Sequence, residues 1–160
     1  MTGVYVAAGS NVGAHLNLRR ALAELSAAFP GSRTSPAYRN AAVGFEGEDF
    51  INLAVGFETA KSLSEVVEEL RRIEALCGRA RDAAKWAPRS LDLDILLFGD
   101  LVAEMPDATL PRPDLLKRPY MLGPLADLAP DLQHPVVHRS IGALWSEFDR
   151  GAHVMHVVEL

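Results

Sequence analysis

Residues 62–78 spell out one amphipathic helix with both of its ends marked. Ser62 and Glu65 stand at capping-box spacing, Leu63, Val66, Val67, Leu70, Ile73 and Cys77 recur on one face, and Gly78 provides the stop. A helix with a single apolar stripe needs an apolar layer to cover it, and its two neighbours in sequence have strand character. Residues 50–59 precede it, and residues 91–98 follow it, closed by Gly99 and Asp100. Upstream, residues 3–8 read as a strand. Residues 16–29 read as a helix with Leu18, Leu22, Leu25 and Phe29 on one face, ended by Pro30 and Gly31, and residues 32–39 as a further strand. The order is βαββαβ. An α+β architecture, an antiparallel sheet with helices on one face, joins these elements by short connections. Farther on, residues 105–119 read as loop, 120–128 as a weak helix despite Pro124, 140–148 as helix and 153–158 as a final strand.

The chain has 160 residues, the size of one ordinary domain, and a single domain over 1–160 is expected. Apolar residues make up 49% and charged residues 23%, and no apolar run approaches the roughly 18 residues of a membrane span. Residues 1–11 lack a signal-peptide pattern and Cys77 is the only cysteine, so a reducing cytoplasm is expected, with the thiol packed rather than reactive. A net charge of −5 argues against nucleic acid or an anionic membrane as partner. A monomer acting on small molecules is the expectation.

The positive charge is concentrated. Six of the sixteen Lys and Arg residues, Arg71, Arg72, Arg79, Arg81, Lys85 and Arg89, fall within nineteen positions and are followed by Asp92 and Asp94. In a strand, alternation sends both aspartates to one face and Leu91 and Leu93 to the other, with the carboxylates about 7 Å apart. Two acids on an apolar strand call for cations. Mg²⁺ takes one or two carboxylates together with substrate phosphates, whereas a salt-bridged, half-exposed strand is the structural alternative. The arginine forks beside them suit phosphate oxygens, and the combination favours a nucleoside triphosphate site over a merely solvated loop. Trp86, among these charges, reads as a stacking platform or as a side chain packed beneath the loop.

Other motifs are missing from the sequence: there is no Walker A loop, no dinucleotide-binding glycine pattern, no paired-histidine zinc motif and no protein-kinase signature. His15, His134, His138, His153 and His156 show no metal spacing and read as surface or packing residues. The cluster from Gly9 to Gly13 taken alone is an ordinary turn signal.

The run Trp86-Ala87-Pro88-Arg89-Ser90-Leu91-Asp92-Leu93-Asp94, with Arg79 and Arg81 before it, closely resembles the 6-hydroxymethyl-7,8-dihydropterin pyrophosphokinase family. Gly9 to Gly13, Phe50-Ile51-Asn52, Arg72-Ile73-Glu74, Gly78-Arg79 and the segment from Met121 to Pro130 also match, so that the resemblance spans residues 4–130. It implies a ferredoxin-like fold, in keeping with the βαββαβ order. It also implies transfer of pyrophosphate from Mg-ATP to the hydroxymethyl pterin in folate synthesis, the substrate hydroxyl attacking the β-phosphorus and expelling AMP. A non-catalytic pterin- or nucleotide-binding module is the alternative, disfavoured by both aspartates and three arginines; an RNA-binding module would need exposed sheet aromatics and a positive face.

The resemblance further implies roles. Asp92 and Asp94 would hold two Mg²⁺ ions. Arg79, Arg81 and Arg89 would grip the triphosphate, Glu74, Ile95 and Thr109 would line the nucleotide site, and Trp86, Arg112 and Arg118 would also meet ATP. Asn52 would bond the polar edge of the pterin, Tyr120 would stack on its ring near Phe50, Val43 and Asp92 would lie close to it, and Trp86 would close over both substrates. The chain departs from the family pattern in several places. Tyr38-Arg39-Asn40-Ala41-Ala42-Val43-Gly44 stands where a Tyr-x-Thr-x-Pro pattern is common, Tyr120 where phenylalanine is frequent, Lys85 where arginine can occur, and Arg112 between two prolines where histidine is usual.

Overall fold

A central antiparallel sheet organises the molecule, and in the computed structural model the described residues are 1–40, 49–78, 91–106, 108–149 and 155–160. Its strands are β1 (Thr2–Ser10), β2 (Arg33–Thr34), β3 (Ala37–Asn40), β4 (Phe50–Thr59), β5 (Asp92–Phe98) and, numbered in chain order, β8 (His156–Val158). They run in the order β5-β1-β4-β3-β8, with β2 also paired to β4. A separate ribbon joins β6 (Ala103–Glu104) to β7 (Thr109–Leu110). The helices are α1 (Ala14–Ala28), α2 (Leu63–Gly78), α3 (Pro119–Leu128) and α4 (Ile141–Glu147), with a 3-10 turn at Pro113–Leu116. None of the described helices is long and apolar enough to cross a membrane.

One face of the sheet is covered by α1 and α2. Leu18, Ala21 and Leu25 of α1 and Val66, Leu70 and Ile73 of α2 bury against Val4, Val6, Leu53, Val55, Leu93 and Ile95. Fully burying a leucine or isoleucine such as Leu25 or Ile73 contributes about 1.5–3 kcal/mol. The capping box closes as the sequence predicts: the Ser62 N–H donates to Glu65 Oε1 at 2.9 Å and the Glu65 N–H to Ser62 Oγ at 3.2 Å. Cys77 is buried at the end of this helix, and burial holds its thiol above the usual cysteine range.

The two helices of the βαββαβ order share one face as expected, and a second core lies on the other. Leu122, Leu125 and Ala126 of α3 and Ile141 of α4 pack with Ala54, Leu96 and Leu97 on the opposite face. Small residues permit this close approach. A Cβ at Gly56 would lie 2.8 Å from the Tyr5 ring and 3.3 Å from Leu128 Cδ2.

Two further differences have local causes. The single strand expected over 32–39 is divided into β2 and β3 at Ser35 and Pro36. Pro36 has no N–H to give the ladder, and Ser35 compensates: its N–H donates to the Ala54 carbonyl at 2.8 Å while its Oγ accepts the Ala54 N–H at 2.8 Å. The loop expected over 105–119 contains β7 and the 3-10 turn, which begins at Pro113, just past Arg112.

Candidate active site

Strand β5 places the two aspartates as alternation requires. Leu93 and Ile95 point into the α1–α2 core, and Asp92 and Asp94 emerge half-buried on the α3 side. A register shift then reverses the pattern, since Val6 pairs with Ile95 but Tyr5 with Leu97. Leu96 and Leu97 therefore both enter the α3 core. The bulge separates a polar end of β5, where the carboxylates lie, from an apolar end beneath α3.

The neighbouring strands complete the polar end. Gly9 pairs with Asp92 on one side and Asn52 on the other, and Ala7 with Asp94 and Ala54. Next along the sheet Tyr38 pairs with Asn52, and Asn40 with Phe50. The Asn52 amide is held by one hydrogen bond, its Nδ2 donating to Asn40 Oδ1 at 2.6 Å, and its Oδ1 occupies space that a Cβ on Gly9 would approach to 2.5 Å. Gly9 is thus required by closeness of approach, not by backbone twist.

These residues line a cleft of about 370 Å³ floored by Ala7 and Gly9. Its aromatic wall is Phe50 and Tyr120, its amide edge Asn40 and Asn52, and its charged rim Asp92, Asp94, Arg112 and Asp114. A flat heterocycle with a hydrogen-bonding edge suits such a lining. A smaller hollow of about 80 Å³ lies on the other side of Asp94, between α2 and β7, lined by Arg71, Glu74, Ile95, Thr109 and Arg112 among others. It is too small by itself to hold a nucleoside triphosphate.

Strand β5 is an edge of the sheet, and Glu74 covers part of that edge: its Oε2 accepts the Leu93 N–H at 3.0 Å. Arg112 covers another part, its N–H donating to the Leu96 carbonyl at 2.9 Å. The Arg112 guanidinium reaches back toward the aspartates, with Nη1 3.6 Å from Asp94 Oδ1 and Nη2 3.9 Å from Asp114 Oδ2.

The structure thus brings Asp92, Asp94, Phe50, Asn52, Tyr120 and Arg112 to one cleft, and Glu74, Ile95, Thr109 and Arg112 to the adjoining hollow. Arg118 is exposed, lines neither space, and precedes α3, its carbonyl accepting the Met121 and Leu122 N–H groups. Val43, Arg79, Arg81, Lys85, Trp86 and Arg89 lie outside the described residues. Asn40 and Asp114 are site residues that sequence reasoning missed. Asn40 was visible only as a departure from a pattern, and Asp114 carried no signal of its own.

Among the described residues no group of three or more His, Cys, Asp or Glu is placed to hold a metal ion. Two carboxylates on one rim, with a cleft beside them, nonetheless fit Mg²⁺, which completes its shell with water and substrate phosphate oxygens.

Comparison with known proteins identifies the family. The family model described as 7,8-dihydro-6-hydroxymethylpterin-pyrophosphokinase (HPPK) matches residues 5–130. The chain is 39% identical to the 2-amino-4-hydroxy-6-hydroxymethyldihydropteridine pyrophosphokinase of Synechocystis sp. over 92% of its own length and 76% of that protein's. It is 37% identical to the Pseudomonas aeruginosa protein of the same name, with 82% and 83% covered. Among solved structures, a Plasmodium falciparum HPPK-DHPS protein superposes with a TM-score of 0.70 at 16% identity, over 91% of this chain. The chain spans 44% of the length of that protein, and the likeness speaks for the fold, a ferredoxin-like α+β sandwich. With the model matched over most of its length and relatives this similar across most of theirs, the chain belongs to the 7,8-dihydro-6-hydroxymethylpterin-pyrophosphokinase family.

Proposed function

We infer that the chain transfers a pyrophosphoryl group from Mg-ATP to 6-hydroxymethyl-7,8-dihydropterin, releasing AMP, in folate biosynthesis. Family membership supports the reaction. One observation supports its location: Asp92 and Asp94 share the rim of a cleft whose other walls are Phe50, Tyr120 and Asn52. The pterin ring lies against Phe50 and Tyr120, and the Asn52 amide, oriented by Asn40, meets its polar edge. That arrangement directs the hydroxymethyl arm toward the carboxylate rim, so the reacting oxygen and the polyphosphate meet beside β5.

Asp92 and Asp94 are the residues that would hold Mg²⁺, two ions in this reading, and Mg²⁺ when bound neutralises polyphosphate charge and aligns the reacting groups. The hydroxyl oxygen forms a bond to the β-phosphorus as the bond from that phosphorus to the α,β-bridging oxygen breaks. AMP departs with the electron pair, and the hydroxyl proton passes to solvent. Glu74 holds β5 at its edge and keeps both aspartates in place. The roles of Arg79, Arg81 and Arg89 on the triphosphate, and of Trp86 and Val43 around the pterin, rest on the sequence resemblance alone. The acidic net charge fits a small-molecule enzyme without a nucleic-acid partner. A single-domain cytoplasmic monomer completes the reading.

Phosphorus NMR of one reaction mixture tests it. AMP and a pterin diphosphate should appear together, whereas ADP with a pterin monophosphate would mean that the cleft performs a different transfer. No product, with both ligands still bound, would favour a non-catalytic binding module.

A further inference from the structure

Asp94 and Arg112 are the two residues common to the aromatic cleft and the smaller hollow, so whatever passes between these spaces passes them. The backbone of Arg112 is fixed. Its N–H is bonded to the Leu96 carbonyl at 2.9 Å, its own carbonyl accepts the Leu115 N–H at 3.1 Å, and prolines flank it at Pro111 and Pro113. Its guanidinium is held loosely by comparison. The approaches of 3.6 Å to Asp94 and 3.9 Å to Asp114 are ion-pair distances beyond ordinary hydrogen bonding, and Nε is buried without a hydrogen-bond partner among the described residues. A fork with five N–H donors on a fixed stem, paired but under-bonded, is ready to exchange one anion for another.

We propose that Arg112 is the built-in counter-ion of Asp94, opposing free divalent cations there and yielding the carboxylate to a cation that arrives already bound to polyphosphate. The proposal rests on the reading of Asp94 as a metal-holding residue. A free cation must displace or tolerate a positive charge 3.6 Å from its carboxylate ligand. A cation that enters with ATP brings phosphate oxygens, which can accept two N–H groups of a guanidinium fork at once, and these satisfy the donors that the two carboxylates leave unbonded. Asp114, on the far side of Arg112, keeps the fork at the boundary between the two spaces. The device makes metal and nucleotide enter together.

Binding of Mn²⁺, followed by electron paramagnetic resonance and calorimetry on the full chain, tests this in wild type, Arg112→Gln, Arg112→Lys and Asp94→Asn, with and without a nonhydrolysable ATP analogue. Arg112→Gln should bind free Mn²⁺ about five-fold more tightly than wild type, the upper range for a pair whose side chains are 33% and 35% exposed. The same variant should bind the metal-free analogue about five-fold more weakly. Opposite signs are the signature, because simple loosening of the fold would weaken both. Arg112→Lys, which keeps the charge, should bind free Mn²⁺ as wild type does. Equal Mn²⁺ binding by wild type and Arg112→Gln, binding too weak to register in both, or parallel weakening of both ligands overturns the proposal. Asp94→Asn distinguishes the two levels. Loss of analogue-linked Mn²⁺ in that variant upholds the metal reading whatever Arg112 does, and its retention removes the metal reading and the proposal with it.

Discussion

Asn52 presents its amide in a defined direction only because its neighbours hold it. Asn40 accepts from its Nδ2 across the strand pair, and the missing side chain of Gly9 leaves space for its Oδ1. Asn40→Ala should therefore raise the KM for the pterin about five-fold, the equivalent of one hydrogen bond of roughly 1 kcal/mol, with the KM for ATP unchanged. Asn40→Asp keeps the acceptor and should restore most of the affinity. An equal rise in both KM values would mean that Asn40 supports the fold and not the amide. The carboxylates belong to the same scale. If each is a direct metal ligand, as proposed, Asp92→Asn and Asp94→Asn should each lower turnover more than about 100-fold, beyond the usual effect of disturbing the groups behind a ligand. Circular dichroism should remain as in wild type, and either variant turning over near the native rate would remove its residue from the metal site.

At the scale of elements, legibility followed the density of local signals. Helix α2 and strand β4 were readable to the residue, because a capping box, a continuous stripe and turn-forming neighbours left little choice. The facing of Asp92 and Asp94 was readable for the same reason, alternation being a local property. The division of β2 from β3 was not, because it depends on Ser35 replacing a ladder bond with its side chain, and nothing in the sequence states where Ala54 lies. Nor was the joining of Asn40 and Asp114 to the site, which depends on strands and turns far apart in the chain. His134 illustrates a packing role that sequence could name without detail. It is buried, its Nδ1 accepts the Val136 and Val137 N–H groups at 3.2 and 3.3 Å, and burial, followed by the nearby His138, lowers its pKa. The unfolded chain therefore binds the proton more readily. The turn's contribution is present above the unfolded value near 6.5 and is lost as pH falls below it toward the depressed folded value. Thermal melts between about pH 7.5 and 5 should show His134→Asn, whose amide oxygen accepts without titrating in this range, losing less stability on acidification than wild type. Parallel curves for the two proteins would exclude His134 as a contributor.

For the molecule as a whole, the second helical layer connects the substrate cleft to parts of the chain beyond the family match at residues 5–130. Helix α4 packs on α3, and β8 pairs with β3, the strand that carries Asn40. The clearest tie between the layers is the Tyr38 hydroxyl, which donates to Asp127 at the end of α3 and so anchors β3 two residues before Asn40. Burial first, then the hydrogen bond to Asp127 and its negative charge, push the Tyr38 phenol from 10.0 up to about 12. A folded pKa raised above the unfolded one means that the folded state holds the proton more firmly. The stabilisation is complete below pH 10.0 and is lost as pH rises through about 12. Ultraviolet titration of the three tyrosines should accordingly show one phenol ionising late, and Tyr38→Phe should abolish that late step. Because the pair is partly exposed, the same substitution should lower stability by only about 0.5–1.5 kcal/mol at neutral pH, yet it should also raise the KM for the pterin by loosening the strand that orients Asn52. A late phenol that survives in Tyr38→Phe would remove Tyr38 as its source. An unchanged pterin KM beside a lowered melting temperature would mean that α3 steadies the sheet without reaching the cleft.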